Sequence, residues 1–295
     1  MSKKNVGKGW NRRSVLRRTG LAAGSVSLIG QGSASAIRGG DGSQSKETAH
    51  TANDSDEKQL LTTEERQRFS ERLKANSIEP ATLQISQKRN TGGEYRVSEV
   101  DPLQEDPTDT PGEIVWEDTA YRKDDTAIGN TIVEADYYLV CYKTDIMNDV
   151  GHRYYILYGW AGCRPQEHAL WTGNLKEAYI EYEFVGGEGD MKRYKPGGDR
   201  NKHGIPMTMS MTVSGESGGI GGSATLSGEF TIGGGTVRPH RSRMNMSNDR
   251  FNVIFEGSTE ATCEVMGMCA YTRPEDVVTE WDYNLGIDGE RWNKE

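Results

Sequence analysis

Met207-Thr-Met-Ser-Met-Thr-Val-Ser-Gly-Glu-Ser-Gly-Gly-Ile-Gly-Gly-Ser-Ala-Thr-Leu-Ser-Gly-Glu-Phe-Thr-Ile232 carries the clearest structural instruction in the chain. Met207, Met209, Met211 and Val213 alternate with Thr208, Ser210, Thr212 and Ser214. Beyond a Gly-rich turn, Ala224, Leu226, Gly228, Phe230 and Ile232 alternate with Ser223, Thr225, Ser227, Glu229 and Thr231. A period of two sends successive side chains to opposite faces of a strand, so this stretch predicts an amphipathic β-hairpin.

The same period recurs on either side. Ala178, Ile180, Tyr182 and Phe184 alternate with Tyr179, Glu181 and Glu183. Tyr137 to Tyr142 and Arg153 to Trp160 are aromatic and β-branched runs around a turn-like Asn148, Asp149 and Gly151, which predicts a second hairpin, and Phe251 to Phe255 reads as a further strand. The segment Glu275 to Thr279, after Pro274, is compatible with helix or strand. Several short strands, Gly-rich turns and no long helical period predict an all-β, antiparallel sandwich or barrel-like domain over 113–295.

Upstream the composition changes. Residues 37–112 read as a polar, acidic, largely disordered linker region, closing on Pro102, Pro107 and Pro111 among acids. One short helix is expected within it, near 62–76. Thr62 and Glu65 form a capping box there, and Leu61, Phe69, Leu73 and the stems of Arg66 and Arg72 supply one narrow apolar face.

Residues 1–36 have a different character again. Asn11, Arg12, Arg13, Ser14, Val15, Leu16 and Arg17 resemble the twin-arginine export signal. A weakly hydrophobic stretch follows, and Ala34, Ser35 and Ala36 offer a cleavage site, with cleavage after Ala36. The resemblance implies that the twin-arginine translocase is a partner during export and that the mature protein is secreted and extracellular. No Cys stands at the cleavage site for a lipid anchor, and no later apolar run reaches the roughly 18 residues of a membrane helix.

Removing the signal and its seven positive charges takes the net charge from −9 to −16, with 17 Arg against 11 Lys after Ala36. This acidity, with this style of signal, resembles the secreted proteins of salt-loving archaea. It favours solubility and opposes binding of nucleic acid over the whole surface. Cys141, Cys163, Cys263 and Cys269 form an even set in an exported chain, which predicts two disulfides. Joining sequence neighbours gives Cys141 to Cys163 and Cys263 to Cys269. Their spacings of 22, 100 and 6 lack the close pairs of a zinc site, so no metal is expected, and nothing calls for a cofactor.

Four features bear on function. Lys192, Arg193, Lys195, Arg200, Lys202 and His203 precede the 207–232 hairpin, and Arg238, His240, Arg241 and Arg243 follow it. The start of one arm and the end of the other are neighbours, so two basic loops should meet at one rim able to take acidic glycan or anionic lipid headgroups. Second, Gly215, Glu216, Ser217, Gly218 and Gly219 match G-x-S-x-G and resemble the nucleophile motif of trypsin-like proteases, which makes Ser217 a weak candidate nucleophile. None of the five His residues stands in a protease-like context, and the abundant acids show no spacing that singles out a catalytic pair. Third, hairpin arms of about ten residues resemble the inserting hairpins of β-pore-forming toxins. Fourth, Asn53 with Ser55 and Asn245 with Ser247 are glycosylation sequons.

The leading expectation is a secreted protein that binds at a cell or matrix surface rather than catalysing a reaction. A halocin-like antimicrobial or β-pore-forming toxin is the alternative, and a secreted serine hydrolase the third. Because the translocase reads the arginine pair as an address, replacing Arg12 and Arg13 together with Lys should leave full-length precursor inside the cell. Immunoblots of cells and medium check this, and undiminished secretion would refute it.

Overall fold

The computed structural model describes residues 45–51, 59–79, 82–89, 95–101, 112–186, 189–275 and 279–294. Arg12, Arg13, the cleavage site, Asn53 and nearly all of the 101–112 hinge lie outside them. Among the described residues the chain folds as two antiparallel sheets and one α-helix, in keeping with the all-β expectation. The smaller sheet has the order β1 (Ser45–Thr51), β14 (Thr279–Asn293), β7 (Trp171–Gly186), β12 (Arg250–Thr259), β11 (Thr236–Pro239). The larger runs β3 (Tyr95–Val100), β2 (Leu83–Arg89), β10 (Ile220–Phe230), β9 (Met207–Ser217), β5 (Thr131–Met147), β6 (Arg153–Pro165), β13 (Cys263–Arg273), β8 (Asp190–Lys195), with β4 (Glu113–Asp125) paired to β5.

Both expected hairpins form. Asn148 turns the chain between β5 and β6: its side-chain oxygen accepts from the amides of Val150 and His152, and Gly151 takes φ +81°. Gly218 and Gly219, at φ +61° and +77°, make the two-residue turn between β9 and β10, a left-handed pair that matches strand twist at no steric cost to glycine. Met211 faces Leu226 and Val213 faces Ala224 across this hairpin, and all four are buried. The undecided stretch after Pro274 leads into β14 at Thr279, with 276–278 outside the described residues.

The larger sheet is curled so that its middle strands are covered on both sides. Gly159 and Gly267 let Ile180 and Tyr182 of β7, and Val253 and Phe251 of β12, lie against one face. On the other face Tyr158 and Met266 meet Gly228 of β10. This double cover is why 135–142, 155–163 and 265–273 are buried without alternation. The apolar face of the 207–232 hairpin is spent inside this packing, and β2 pairs along the edge of β10.

The region before Glu113 contributes to the same core. Helix α1 (Thr63–Ala75) starts with the expected Thr62–Glu65 capping box, and Phe69 and Leu73 are buried, Phe69 stacking on Tyr138. Leu83 and Ile85 of β2 are buried beside them. Arg66 goes further than lending its stem: its guanidinium is buried against Glu117, whose other oxygen accepts from the Tyr138 hydroxyl at 2.6 Å. Arg72 pairs with the buried Asp136.

The expected pairing of Cys141 with Cys163 and of Cys263 with Cys269 is corrected. All four cysteines are buried and unbonded, and the register keeps the proposed partners apart. Cys163 lies opposite Ala135, six residues along β5 from Cys141, while Cys263 and Cys269 are six residues apart on one strand. Six residues of strand span about 20 Å, far beyond disulfide reach.

Burying Arg66 and Glu117 together makes each dependent on the other. Glu117→Ala should destabilise the protein by about 3–5 kcal/mol by leaving the guanidinium uncompensated. Replacing both with Met should cost much less. Urea unfolding of the two variants provides the comparison, and equal losses would contradict the pairing.

Candidate functional site

The first basic stretch forms β8, which among the described residues is an edge strand paired with β13 alone. Arg193 faces Ala270 and Met191 faces Tyr271, which leaves Lys192 as the extra residue of a bulge. A bulge upsets the alternation of faces, so Lys192 and Arg193 are both exposed although they are consecutive. Arg193 reaches across to β9, where its guanidinium donates to the Thr212 carbonyl oxygen at 3.0 Å. Between the two strands lies a cleft of about 400 Å³ lined by Lys192, Arg193 and Lys195 on one side and Ser210 and Thr212 on the other. Lys192 also pairs with Asp190.

The two basic loops do converge through their backbones. Arg200 and Val237 exchange amide-to-carbonyl bonds of 2.8 Å each way, and the Gly204 amide donates to Ile232 at 2.8 Å. Their side chains divide, however. Arg238 is held by Glu256 on the smaller sheet, with its Nε 2.7 Å from the carboxylate. The guanidinium of Arg243 lies 5.2 Å from the Tyr179 ring centre and beside Glu177. Arg200, Lys202 and Arg241 are exposed. The structure thus gathers Lys192, Arg193 and Lys195 at one cleft, sets Arg200 and Lys202 on the adjoining loop, and places Arg238 on β11 of the smaller sheet and Arg243 in the turn after it, over Tyr179.

Ser217 ends β9 and pairs with Ile220 across the Gly218–Gly219 turn. A hydrolase nucleophile elbow joins a strand to a helix, whereas this pentapeptide joins two strands. Its side chain is not among those described. Asn245 is exposed, and its side-chain oxygen accepts from the Ser247 amide.

A second and larger cleft, about 670 Å³, opens on the opposite side of β9, where the hairpin layer ends over the start of β13. Thr208, Ser227, Thr231 and Thr262 line it together with Glu79, Glu229 and Glu264. Glu264 accepts from the Thr231 amide and, at 3.3 Å, from the Trp160 indole. Burial pushes its carboxyl up to about 7 against those two donors, and the charges of Glu229 and Glu79 add to the rise. Three carboxylates from separate elements give no sequence spacing to find. Glu264 alone left a trace, as the single acid in the apolar run Cys263 to Tyr271.

Thr208 borders the larger cleft and Ser210 the smaller. They are two residues apart on the outward face of β9, hence separated by about 7 Å. The row of hydroxyls continues through Thr212, whose Oγ1 lies 2.9 Å from that of Thr225 on β10. The clefts therefore flank one hydroxyl-bearing strand, with cations on one side and carboxylates and hydroxyls on the other.

No family model matches this chain, and no curated protein matches it either. Glu264 supplies a test of the site's electrostatics. Its carboxyl is raised in the fold from an ordinary value near 4.5, so the folded state holds the proton more tightly than the unfolded chain. Its contribution therefore costs stability as pH rises from about 4.5 to 7, by roughly 3 kcal/mol in all. Glu264→Gln should remove that part of the pH dependence, seen as a difference between the unfolding midpoints of the two proteins that widens from pH 4 to pH 8. A constant difference would contradict it.

Proposed function

We propose that this chain is an extracellular binding protein that holds an acidic polysaccharide across strand β9. The arrangement of the two clefts carries the reading. Arg193 and Lys195 face a space where carboxylate or sulfate groups can be gripped by charge-assisted hydrogen bonds, with Lys192 beside them paired to Asp190, and Arg200 and Lys202 extend that field along the adjoining loop. One strand-width away, Thr208, Ser227 and Glu229 offer the hydroxyl and carboxylate partners that neutral sugar hydroxyls need. The twin-arginine-like segment and the acidic balance of the chain support an extracellular setting for such a ligand.

An acidic protein must concentrate its cations to bind an anion. In molar salt the Debye length is about 3 Å, so long-range attraction is screened and direct contacts decide affinity. Replacing Arg193, Lys195, Arg200 and Lys202 with Gln should weaken binding of alginate or hyaluronan at least about tenfold in either low or molar salt, since each charged hydrogen bond contributes about 1.5–3 kcal/mol. Replacing Arg238 and Arg243, already engaged by Glu256 and Tyr179, should leave affinity nearly unchanged. Titration calorimetry of the three proteins checks this. Equal binding by all three, or binding only to anionic liposomes, would overturn the polysaccharide reading.

A further inference from the structure

We propose that Cys163 and Cys263 are the partners of a single cross-strand disulfide, and that Cys141 and Cys269 remain thiols. The register is the ground for this. Cys163 of β6 and Cys263 of β13 are direct partners in an antiparallel pair. Opposed residues in such a pair send their side chains to the same face, with Cα atoms about 4.5–5.5 Å apart. That separation falls inside the disulfide window of about 4.4–6.8 Å. Both side chains are fully buried, and the Cys263 thiol meets only backbone groups such as the Glu264 carbonyl oxygen at 3.7 Å, which leaves Cys163 as the cysteine set opposite it.

The same register excludes the other two cysteines from bridging. Cys141 and Cys269 both pair with Leu157, one from each side, and so lie two strands apart at about 9.5 Å. The Cys141 thiol instead meets the Tyr271 hydroxyl at 3.6 Å. Cys263 is also the residue before Glu264, so a bridge would pin to β6 the end of β13 that forms the floor of the larger cleft.

Bond formation needs an oxidant, here a low-molecular-weight disulfide such as oxidised glutathione. The Cys163 thiolate attacks it, breaking its S–S bond and releasing one glutathione thiolate. The Cys263 thiolate then attacks the Cys163 sulfur and displaces the second. Two protein protons end on two glutathione thiols, so the protein loses two hydrogens and the oxidant gains them. Complete burial, which raises the Cys263 thiol to about 12, means that the exchange belongs to folding rather than to the finished fold.

The full chain should be unfolded in reductant and refolded with reduced and oxidised glutathione. After unfolding again without reductant, iodoacetamide should label two cysteines, against four once reductant is added, and digestion should yield a Cys163–Cys263 linked peptide. The bridged protein should unfold at a higher urea concentration than protein refolded in reductant. Cys141→Ala with Cys269→Ala should keep the bridge, and Cys163→Ala with Cys263→Ala should lose it. The first of these double variants decides the matter should the second fail to fold. Four labelled thiols, a linked peptide containing Cys141 or Cys269, or a bridged form that unfolds more readily than the reduced one would each overturn the assignment.

Discussion

Coverage of β5, β6 and β13 on both faces is the constraint from which the rest follows. A strand enclosed in this way has no wet side, so the residues that would face water in a two-layer sandwich are mostly apolar or glycine, and a polar group there is costly unless it finds a partner. Tyrosine meets that demand well: Tyr137 and Tyr182 each bury a ring and spend the hydroxyl on a carbonyl oxygen, of Gly286 and Tyr158 respectively. Where the cover stops, polar groups become available. Both clefts lie at such margins, one where the hairpin layer ends over Glu264, the other where β8 leaves the covered strands.

The double cover also explains the buried charges around helix α1. A short amphipathic helix brings little apolar area, and Arg66 and Arg72 sit beside the sheet where water would otherwise hydrate them. Glu117 and Asp136 take the place of that water. Such pairs add little net stability, but they make the docking position of the helix specific, because a shifted helix would strand Arg66, Glu117 and Asp136 in an apolar setting.

The hairpins, the capping box and the all-β class were legible because each depends on local chemistry: a period of two, a Gly-Gly turn, a Thr and a Glu three residues apart. Long-range pairing was not. Leu83 and Ile85 form too short an apolar pattern to distinguish a core strand from linker, and they become β2 only by lying beside β10. Proximity in sequence misdirected the cysteine pairing for the same reason, since strand register links residues far apart in the chain. The cationic loops were visible as charge clusters, but the bulge at Lys192 and the capture of Arg238 by Glu256 decide which cations face a common space, and neither is written locally.

Among the described residues strand β8 closes one edge of the larger sheet, laddered to β13 alone and separated from β9 by the smaller cleft. An edge of that kind is a template on which a second molecule can add a strand, and a chain of such additions becomes a fibre. The kink at Lys192 and the adjoining positive charges make β8 a poor template: the local twist breaks the flat repeat, and a like-charged strand arriving alongside is repelled. Arg193 goes further by reaching over the gap to β9. A strand shaped to stay alone in this way keeps its cations at the mouth of the smaller cleft, so resistance to self-association and access to a soluble polyanion come from the same few residues.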